Sequence, residues 1–350
     1  MNFKRFWTIF IARNREFYRD RAGLGWNIIF PFLLVAGFGV IFGSEHKAEY
    51  KIGVFPTTLS TPETGNLALP PRFLATRYLQ FVGMASQAQG MDKLAHHKID
   101  FLVRQGEAPY PYWVSQDSPK GYFIERIFRE SLVDGAITDS LARKEAIQGD
   151  AIRYVDWLFP GIIGMNMMFS ALWGVGYVVV RYRKIGVLKR LHATPLTAFE
   201  YLSAQMVSRV MILMLSLAVV WAGCDLLFDF RVNGSYFDML VMFLLGSLCL
   251  TSLGLLLASR GISEEFTTGA LNFISWPMMF LSEVWFSIEG APGWVIHIAQ
   301  IFPLTHLIRG VRRVMHDGAG LVAVAPEIGI LIGMTLLFLA SGAALFSWNK

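Results

Sequence analysis

Charged residues are scarce in this chain. Only 16% of its 350 residues are Asp, Glu, Lys or Arg, whereas 54% are hydrophobic. A soluble globular domain has about 25% charged residues, so this composition excludes an ordinary soluble globule. The charges also cluster between apolar runs, as expected where the bilayer core disfavours each charge by about 3 kcal/mol. The composition therefore predicts a membrane protein.

Cysteine is also nearly absent. The chain has two, Cys224 and Cys249, and both lie in apolar segments. One is near the end of a predicted helix and the other is in the middle of one, so a disulfide between them is not favoured. No spacing of Cys with His suggests a metal site. We expect both to be packing residues.

Several catalytic motifs are missing. The sequence has no G-x-x-x-x-G-K-[ST] loop, so it does not bind ATP in the P-loop manner, and it has no H-E-x-x-H. No Ser, His and Asp lie at a common depth, which argues against an intramembrane lipid-modifying enzyme. We expect no catalytic residue, cofactor or metal here. The modest excess of Lys and Arg lies beside apolar runs, so membrane orientation explains it better than nucleic-acid binding.

What the chain has instead is long apolar runs. An α-helix needs about 20 apolar residues to cross a bilayer. Six runs approach or exceed this length. They are Gly25–Gly43, Trp157–Val180, Val210–Phe228, Met239–Ser259, Phe266–Ile288 and Ile328–Trp348. The sequence therefore predicts an all-α membrane protein with six transmembrane helices, of which the first is residues 25–43 and the other five lie in 157–350.

Positive charge sets the expected orientation. Residues 1–24 alternate aromatic and basic side chains at helical spacing, which predicts an amphipathic helix on the inner membrane surface. This tail and the connector after the second run are the most basic segments between runs, so both are expected in the cytoplasm. Six spans then place both termini inside and residues 44–156 outside. One segment disagrees: Arg309, Arg312 and Arg313 fall in a loop that six spans place outside.

Residues 44–156 form a polar region of their own. Tyr50–Phe55, Ile99–Arg104 and Tyr112–Gln116 are typical of strands, whereas Arg72–Lys98 and Tyr122–Gln148 are typical of helices. This predicts a small extracytoplasmic α/β domain between the first and second spans.

The most informative stretch is the connector Arg181–Leu196, RYRKIGVLKRLHATPL. Its central residues favour a short helix with apolar and basic faces, and Pro195 disfavours helical geometry at Thr194. A helix here, within residues 184–196, would contact both neighbouring spans and so give a soluble motor a point of attachment. The alternative is a basic juxtamembrane helix that binds anionic lipid. The candidate coupling residues are Gly186, Val187, Leu188, Lys189, Arg190, Leu191, Thr194 and Pro195.

A family resemblance favours the first reading. YVDWLFPGIIGMNMMFSALWGVGYVVVRYRKIGVLKRLHATPLTAFEYL resembles the signature stretch of ABC-2 type export permeases, in which the second span leads into a cytoplasmic coupling helix ending in an ATPL-like sequence. WPMMFLSEVWFSIEGAPGWVIHIAQIFPLTHLIRG is similar to the family's fifth span and the re-entrant segment after it. One departure is Glu283, where relatives often carry a small residue.

The resemblance implies a function. The chain would be the membrane subunit of an ATP-driven exporter in the inner membrane of a bacterium. Its partners would be two copies of an ATP-binding subunit, which hold ATP and Mg, and a second permease, identical or closely related. Closure of the ATP-binding subunits would move the coupling helices and open a central cavity alternately inward and outward. A hydrophobic or amphipathic substrate suits the apolar spans.

Four residues are candidates for the substrate pathway. In the family the second and fifth spans line the central path, which implies a role for Asn166, Phe169 and Phe273, although each is also consistent with ordinary helix packing. Glu283 lies toward the outer end of its span. It either belongs to the outer mouth of the path or is an interfacial residue that reaches water.

Two prolines bear on the region after the fifth run. Pro277 lies inside that run and is expected to kink or interrupt its helix. Pro292 and Pro303 flank an apolar piece too short to cross, which favours a re-entrant or interfacial segment before the last span.

An ion-coupled secondary transporter is the alternative function. It requires titratable groups near the membrane midplane and usually repeated halves. Only Asp225 and Glu283 are candidates, both near the ends of runs, and the halves do not match.

Overall fold

The computed structural model describes most of the chain. The described residues are 2–42, 50–57, 62, 64–96, 98–106, 108–115, 118–133, 153–259 and 263–345. They belong to two compact units, one made of Met1–Gly43 with Ala151–Lys350 and the other of Ser44–Asp150. The first holds the long apolar helices, and the second holds the β-strands.

The first unit begins with two helices that meet at Asp20. Helix α1 spans Phe3–Arg19, and α2 spans Arg21–Phe42. The Asp20 carboxylate accepts a hydrogen bond from the backbone N–H of Gly23 at 3.0 Å, which satisfies a free donor of the first turn of α2. Helix α1 therefore ends at Arg19, earlier than residue 24, because α2 already starts at Arg21, ahead of the apolar run. The interfacial location of α1 stays a prediction.

Four more helices of the first unit are long and apolar. Helix α6 spans Tyr154–Lys184, α8 spans Ala198–Phe228, α9 spans Tyr236–Ser259, and α13 spans Ala325–Leu345. With α2, they are the five helices in the described residues that are long and apolar enough to cross a membrane by length and composition. A short helix, α7, spans Val187–His192 between α6 and α8.

The expected span Phe266–Ile288 is not a continuous helix. Helix α10 spans Glu264–Leu281 and ends at Ser282, and Glu283 adopts a left-handed φ of 59° that the helix does not accept. Two further helices follow, α11 over Gly293–Ala299 and α12 over Pro303–Asp317. Six continuous spans are therefore not observed, and the orientation derived from an even number of spans stays a prediction.

The prolines of this region lie inside helices or at their starts. Pro277 lies inside α10, and the helix continues for four residues beyond it, so of the two expected effects, a kink or an interruption, the interruption is not observed. Pro292 precedes the first residue of α11, and Pro303 occupies the first turn of α12. Proline is well tolerated at these positions because the missing N–H has no partner within the helix. The arginines expected in an external loop thus lie on α12.

The second unit contains a four-stranded sheet. The strands are β1 over Tyr50–Phe55, β2 over Leu79–Gly83, β3 over Phe101–Arg104 and β4 over Tyr112–Trp113. Their order is β2-β1-β3-β4, with β1 parallel to β2 and β3, and β4 antiparallel to β3. The same unit also contains helices α3 over Pro71–Leu74, α4 over Gln87–Ala95 and α5 over Pro119–Ser131.

The helix expected over Arg72–Lys98 is wrong in its middle. Strand β2 lies there, because Phe81 pairs in register with Ile52 and is buried with it. Parallel pairing is non-local, so single-residue patterns do not show it. Phe73, Phe101 and Phe128 meet in the core of this unit, with ring centroids 4.9 to 6.2 Å apart. The expected helix Tyr122–Gln148 is observed as α5, and its part beyond residue 133 lies outside the described residues.

Helix α6 is the most buried of the long helices. Fourteen residues of its Tyr154–Ala171 segment are buried. Gly161 lets this helix lie close to the turn after α10, because glycine has no side chain. A Cβ at this position would lie 2.6 Å from the backbone oxygen of Val284 in that turn. Helix α6 and this turn therefore contact each other backbone to backbone.

Replacing Gly161 by Ala tests this contact. The added methyl group has to displace backbone, so we expect a loss of about 1–3 kcal/mol in stability. The matched control is Gly37→Ala on α2, where a Cβ would meet nothing within 4 Å and helix propensity would instead gain up to about 1 kcal/mol. The apparent unfolding temperature of both variants would be compared in detergent. Equal temperatures for the two variants would contradict the close approach.

Candidate functional site

The connector between α6 and α8 is built as a sharp elbow, which we define as residues 185–197. Gly186 adopts a φ of 73°, a left-handed conformation that glycine accepts without strain. This lets α7 start immediately after α6 ends. Thr197 and Glu200 then form a reciprocal capping box that starts α8. Local sequence therefore fixes both ends of the elbow.

One side of α7 is anchored in the core. Leu188 is fully buried. It belongs to an apolar cluster drawn from α6, α8 and α9, whose other buried members are Val175, Val179, Val180, Tyr201, Leu202, Met206, Leu255 and Ala258. Leu191 is half-buried against the same cluster. The apolar face expected from the sequence thus holds α7 to the spans, and Leu188 is not free to contact another protein.

The other side of the elbow is exposed. Lys189, Arg190 and His192 are exposed on α7. Ile185 is 52% exposed in the turn before it, and Thr194 and Pro195 are exposed after it. An exposed apolar side chain beside several basic ones is suited to contact with an acidic protein surface.

The end of α6 is tied to the end of α9 and to the start of α10. Both terminal nitrogens of Arg183 donate at 3.3 Å to backbone oxygens at the end of α9, those of Ala258 and Ser259. Lys184 forms an ion pair with Glu264 at 2.9 Å at the start of α10. Movement of the elbow would therefore reach α9 and α10 as well as its own two helices.

Helix α1 is tied to the elbow and to the helix ends on either side of it. The backbone N–H of Asn2 donates to Glu200 Oε1 at 2.6 Å, and the Arg5 guanidinium donates to the backbone oxygen of Pro195. Arg13 Nη1 donates to the Tyr182 hydroxyl at 2.7 Å. These bonds place the N-terminal helix and the elbow at the same end of the helical unit.

Helix α6 has an irregular segment on the N-terminal side of the elbow. Leu172–Tyr177 is π-helical, with one extra residue in the turn, and such segments are frequent at functional sites. A Cβ on Gly176 would lie 3.1 Å from the backbone oxygen of Gly254 on α9. The π segment is thus packed closely against α9, without side chains between the two backbones.

A buried polar network next to this segment was not expected from the sequence. Asn166 and Ser216 donate to the backbone oxygen of Asn27 at 3.1 and 3.2 Å, and Ser170 Oγ donates to the Asn27 side-chain oxygen. The buried Arg209 guanidinium donates to both oxygens of Ser170. Arg209 is not among the predicted site residues, because the apolar run of the third span starts at Val210, whereas the helix begins at Ala198.

The candidate pathway residues have different surroundings. Asn166 belongs to the polar network, and Phe169 is half-buried beside Trp173, with ring centroids 5.5 Å apart. Phe273 is 80% exposed on α10. Asn166 and Phe169 therefore have partners within the chain, whereas Phe273 presents an uncovered aromatic ring. A role of these residues in a substrate pathway stays a prediction.

Glu283 is paired with an arginine. Its Oε2 lies 3.4 Å from Arg312 Nη1, and its backbone oxygen accepts from Arg312 Nη2 at 2.7 Å. The guanidinium also lies 3.6 Å from the Trp157 ring centroid and donates to the Trp157 backbone oxygen. Burial lowers the pKa of Arg312 to about 10, against the opposing effect of the Glu283 charge, so Arg312 stays charged at neutral pH.

A second ion pair lies on the same helix. Arg313 Nη1 lies 3.1 Å from Glu327 Oε1. Two of the three arginines on α12 therefore have a local counter-charge. Acidic residues contribute little to membrane orientation, so the side of the membrane on which α12 lies stays a prediction.

Neither a disulfide nor a metal site is present in the described part of the chain. Cys224 and Cys249 are both free and buried. No group of three or more His, Cys, Asp or Glu is placed to hold a metal ion among these residues.

The connector, α6 and α12 all fall within a known family pattern. The family model described as ABC-2 type transporter matches residues 115–316, more than half of the chain. A curated relative, the daunorubicin resistance ABC transporter permease protein DrrB1 of Streptomyces coeruleorubidus, is 24% identical over 193 residues. The alignment covers 53% of this chain and 66% of the relative, so the chain spans slightly less than two thirds of the length of the relative that it matches.

Replacing Arg312 by Gln tests the arginine pairing. Loss of one partner from a buried ion pair leaves Glu283 without its counter-charge, and we expect a loss of about 3 kcal/mol in stability. Arg309→Gln on the same helix is the matched control, since Arg309 is half-buried and forms no ion pair with a described residue. Apparent unfolding temperatures in detergent would be compared. If Arg312→Gln unfolded at the same temperature as Arg309→Gln, the pairing would have no structural role.

Proposed function

The chain belongs to the ABC-2 type transporter family, and from this premise we propose that it is the membrane-spanning permease subunit of an ABC exporter. ATP hydrolysis takes place in separate ATP-binding subunits, two per complex, and a second permease completes the path. The observation that carries the proposal is the elbow, which exposes basic and apolar side chains while Leu188 anchors it between the spans.

The elbow is the proposed docking site. Ile185, Lys189 and Arg190 are exposed at the end of two long helices, so a soluble subunit can contact them without displacing any packed side chain. Six of the eight candidate coupling residues divide into two groups. Lys189, Arg190, Thr194 and Pro195 face outward, whereas Leu188 and, in part, Leu191 transmit force into the helices.

The contacts of the elbow provide the path for that force. A displacement of α7 acts directly on α6 and α8 through the Leu188 cluster. Arg183 and Lys184 connect the end of α6 to α9 and α10, so the displacement also acts on these helices. The hydrogen bonds of Arg5 and Glu200 connect the elbow region to α1. The glycine-rich π segment of α6 is where the helix is least regular. In the proposed cycle, closure of the ATP-binding subunits tilts these helices together and alternates access to a central cavity.

The same proposal orients the chain. The elbow and α1 lie at one end and carry many basic residues, so both are assigned to the cytoplasm of a bacterial cell. Both termini are assigned to this side, and residues 44–156 form the extracytoplasmic domain. In this orientation Glu283 and Arg312 lie toward the outer side of the membrane. Phe273 is an exposed aromatic residue on α10.

The proposed substrate is hydrophobic or amphipathic. The relative's name assigns it to daunorubicin resistance, and the exposed aromatic residues of α10, namely Phe266, Phe273, Trp276 and Phe280, are suited to contact with such a molecule or with lipid. In a complex of two permeases these side chains have room to face a shared path.

The positions of the carboxylates favour this function over ion-coupled transport. In the described spans, Asp156, Asp238 and Glu327 lie in first turns. Asp225 accepts a hydrogen bond from the Phe230 N–H at the end of α8, at 3.2 Å. No described span thus carries a carboxylate at its middle, where a proton or sodium ion would be coupled.

Acidic substitutions on the outward face of the elbow test the docking role. Ile185→Asp with Arg190→Glu should weaken co-purification with the ATP-binding subunit and lower substrate-stimulated ATP hydrolysis at least tenfold, because two exposed contacts are lost without disturbing the Leu188 anchor. The control is Arg231→Glu, an exposed residue beyond the other end of α8. Unchanged binding and hydrolysis in the double variant would refute docking at the elbow.

Cysteine labelling tests the orientation. The two native cysteines are buried, so the background reaction with a membrane-impermeant maleimide should be low. We expect Lys189→Cys to react only in inside-out vesicles and Arg231→Cys only in intact spheroplasts. Reaction of Lys189→Cys from the outside would place the elbow away from the cytoplasm and remove the basis for docking.

A further inference from the structure

A polar cavity lies beside the π segment, enclosed by α1, α2, α6 and α8. Its volume is about 430 Å³, within the range of pockets that hold small ligands. Its lining is rich in polar side chains, among them Arg13, Glu16, Asp20, Asn27, Arg181, Gln205, Ser208 and Arg209. None of the coupling residues or candidate pathway residues belongs to this lining.

Arg209 is an uncompensated charge in this cavity. It is only 8% exposed, and its hydrogen-bond partners are the two uncharged oxygens of Ser170. Its Nε has no hydrogen-bond partner, and it forms no ion pair with any described residue. A buried cation without a counter-ion costs several kcal/mol, so the site is suited to an anion.

Gly174 shapes the space around Arg209. Its position in the π segment lets the guanidinium lie directly against the backbone of α6, since a Cβ on Gly174 would overlap the guanidinium atoms. Phe17 of α1 lies on another side, with its ring centroid 5.7 Å from the guanidinium carbon. The guanidinium is therefore held by three helices, α1, α6 and α8.

The two carboxylates of the cavity are already occupied. Glu16 accepts from Arg13 Nη1 at 2.6 Å and from the Tyr182 hydroxyl. Asp20 accepts from the Gly23 N–H. Three arginines against two carboxylates leave the lining with one positive charge in excess. Because Arg13 is paired with Glu16, the cations that remain for a ligand are Arg209 and the exposed Arg181.

The depth of Arg209 matches that of lipid headgroups. Residues 210–228 of α8 are about 28 Å long at 1.5 Å per residue, close to the hydrocarbon thickness of about 30 Å. Arg209 therefore lies where that apolar stretch begins. Helix α1, which lines the cavity, has the alternating aromatic and basic composition of a helix lying at the headgroup level.

We propose that this cavity binds a phosphate anion, with buried Arg209 and exposed Arg181 as the residues that recognise it. A guanidinium presents paired N–H donors that match phosphate oxygens. Two sources carry this chemistry, the headgroup of an anionic phospholipid and free phosphate. The proposal is independent of the export function, because it requires neither an ATP-binding subunit nor transport.

Native mass spectrometry of the purified full chain tests the proposal. The chain would be titrated in detergent with phosphatidylglycerol, with the matching diacylglycerol, which lacks phosphate, and with inorganic phosphate. We expect phosphatidylglycerol to bind at one high-affinity site and diacylglycerol to bind at least tenfold more weakly. Arg209→Gln and Arg181→Gln should each weaken phosphatidylglycerol binding at least tenfold. Binding of inorganic phosphate that displaces the lipid would identify free phosphate as a second ligand of the same site.

Controls separate this site from general attraction to anionic lipid. Arg231→Gln removes the same charge from an exposed position beyond the other end of α8 and should bind like wild type. If Arg209→Gln does not fold, Arg181→Gln decides, since its exposed side chain makes little contribution to packing. Equal affinities of wild type, Arg181→Gln and Arg231→Gln for phosphatidylglycerol and for inorganic phosphate would overturn the proposal. Equal affinities for phosphatidylglycerol and diacylglycerol, together with no binding of inorganic phosphate, would also overturn it.

Discussion

Three guanidinium groups that bind backbone carbonyls hold the helical unit together where its helices stop or change pitch. Arg183 binds the last carbonyls of α9, Arg312 binds the carbonyl of Glu283 after the end of α10, and Arg209 binds the carbonyl of Ser170 next to the π segment. In an apolar medium water does not satisfy such groups, so each irregular point requires a donor from the protein. The delocalised charge and rigid fork of arginine suit it to this position.

These interactions also define what can move. The elbow is short and anchored by Leu188, so it is suited to move as one piece with the ends of α6 and α8. Other irregular points lie farther along the chain, at the π segment and at the turn after α10. The proposed mechanism requires both properties, a stiff point of attachment and helices that can deform beyond it. The polar cavity at Arg209 is lined by the π segment and by the N-terminal helix.

Much of the chain was predictable because apolar length is a local property. The spans near α2, α6, α8, α9 and α13 follow from runs of uncharged residues, and strand β1 matches its predicted bounds. The fifth span was predicted too long, because apolar length does not show that Glu283 turns into a left-handed conformation held by Arg312, which is 29 residues away. Arg209 was missed for a related reason: it lies just outside an apolar run, and only the capping box at Thr197 shows that the helix starts 12 residues earlier.

The family, the membrane-spanning character and the position of the elbow can be read from the sequence, since these depend on composition, run length and a short motif. Only the folded structure shows which face of α7 is buried, where strand β2 pairs, and which carboxylate neutralises which arginine. It also shows that Arg209 has no carboxylate partner among the described residues. Those properties depend on contacts between residues far apart in the chain. A local pattern of apolar and charged residues does not specify such contacts, because the same pattern is compatible with several partners.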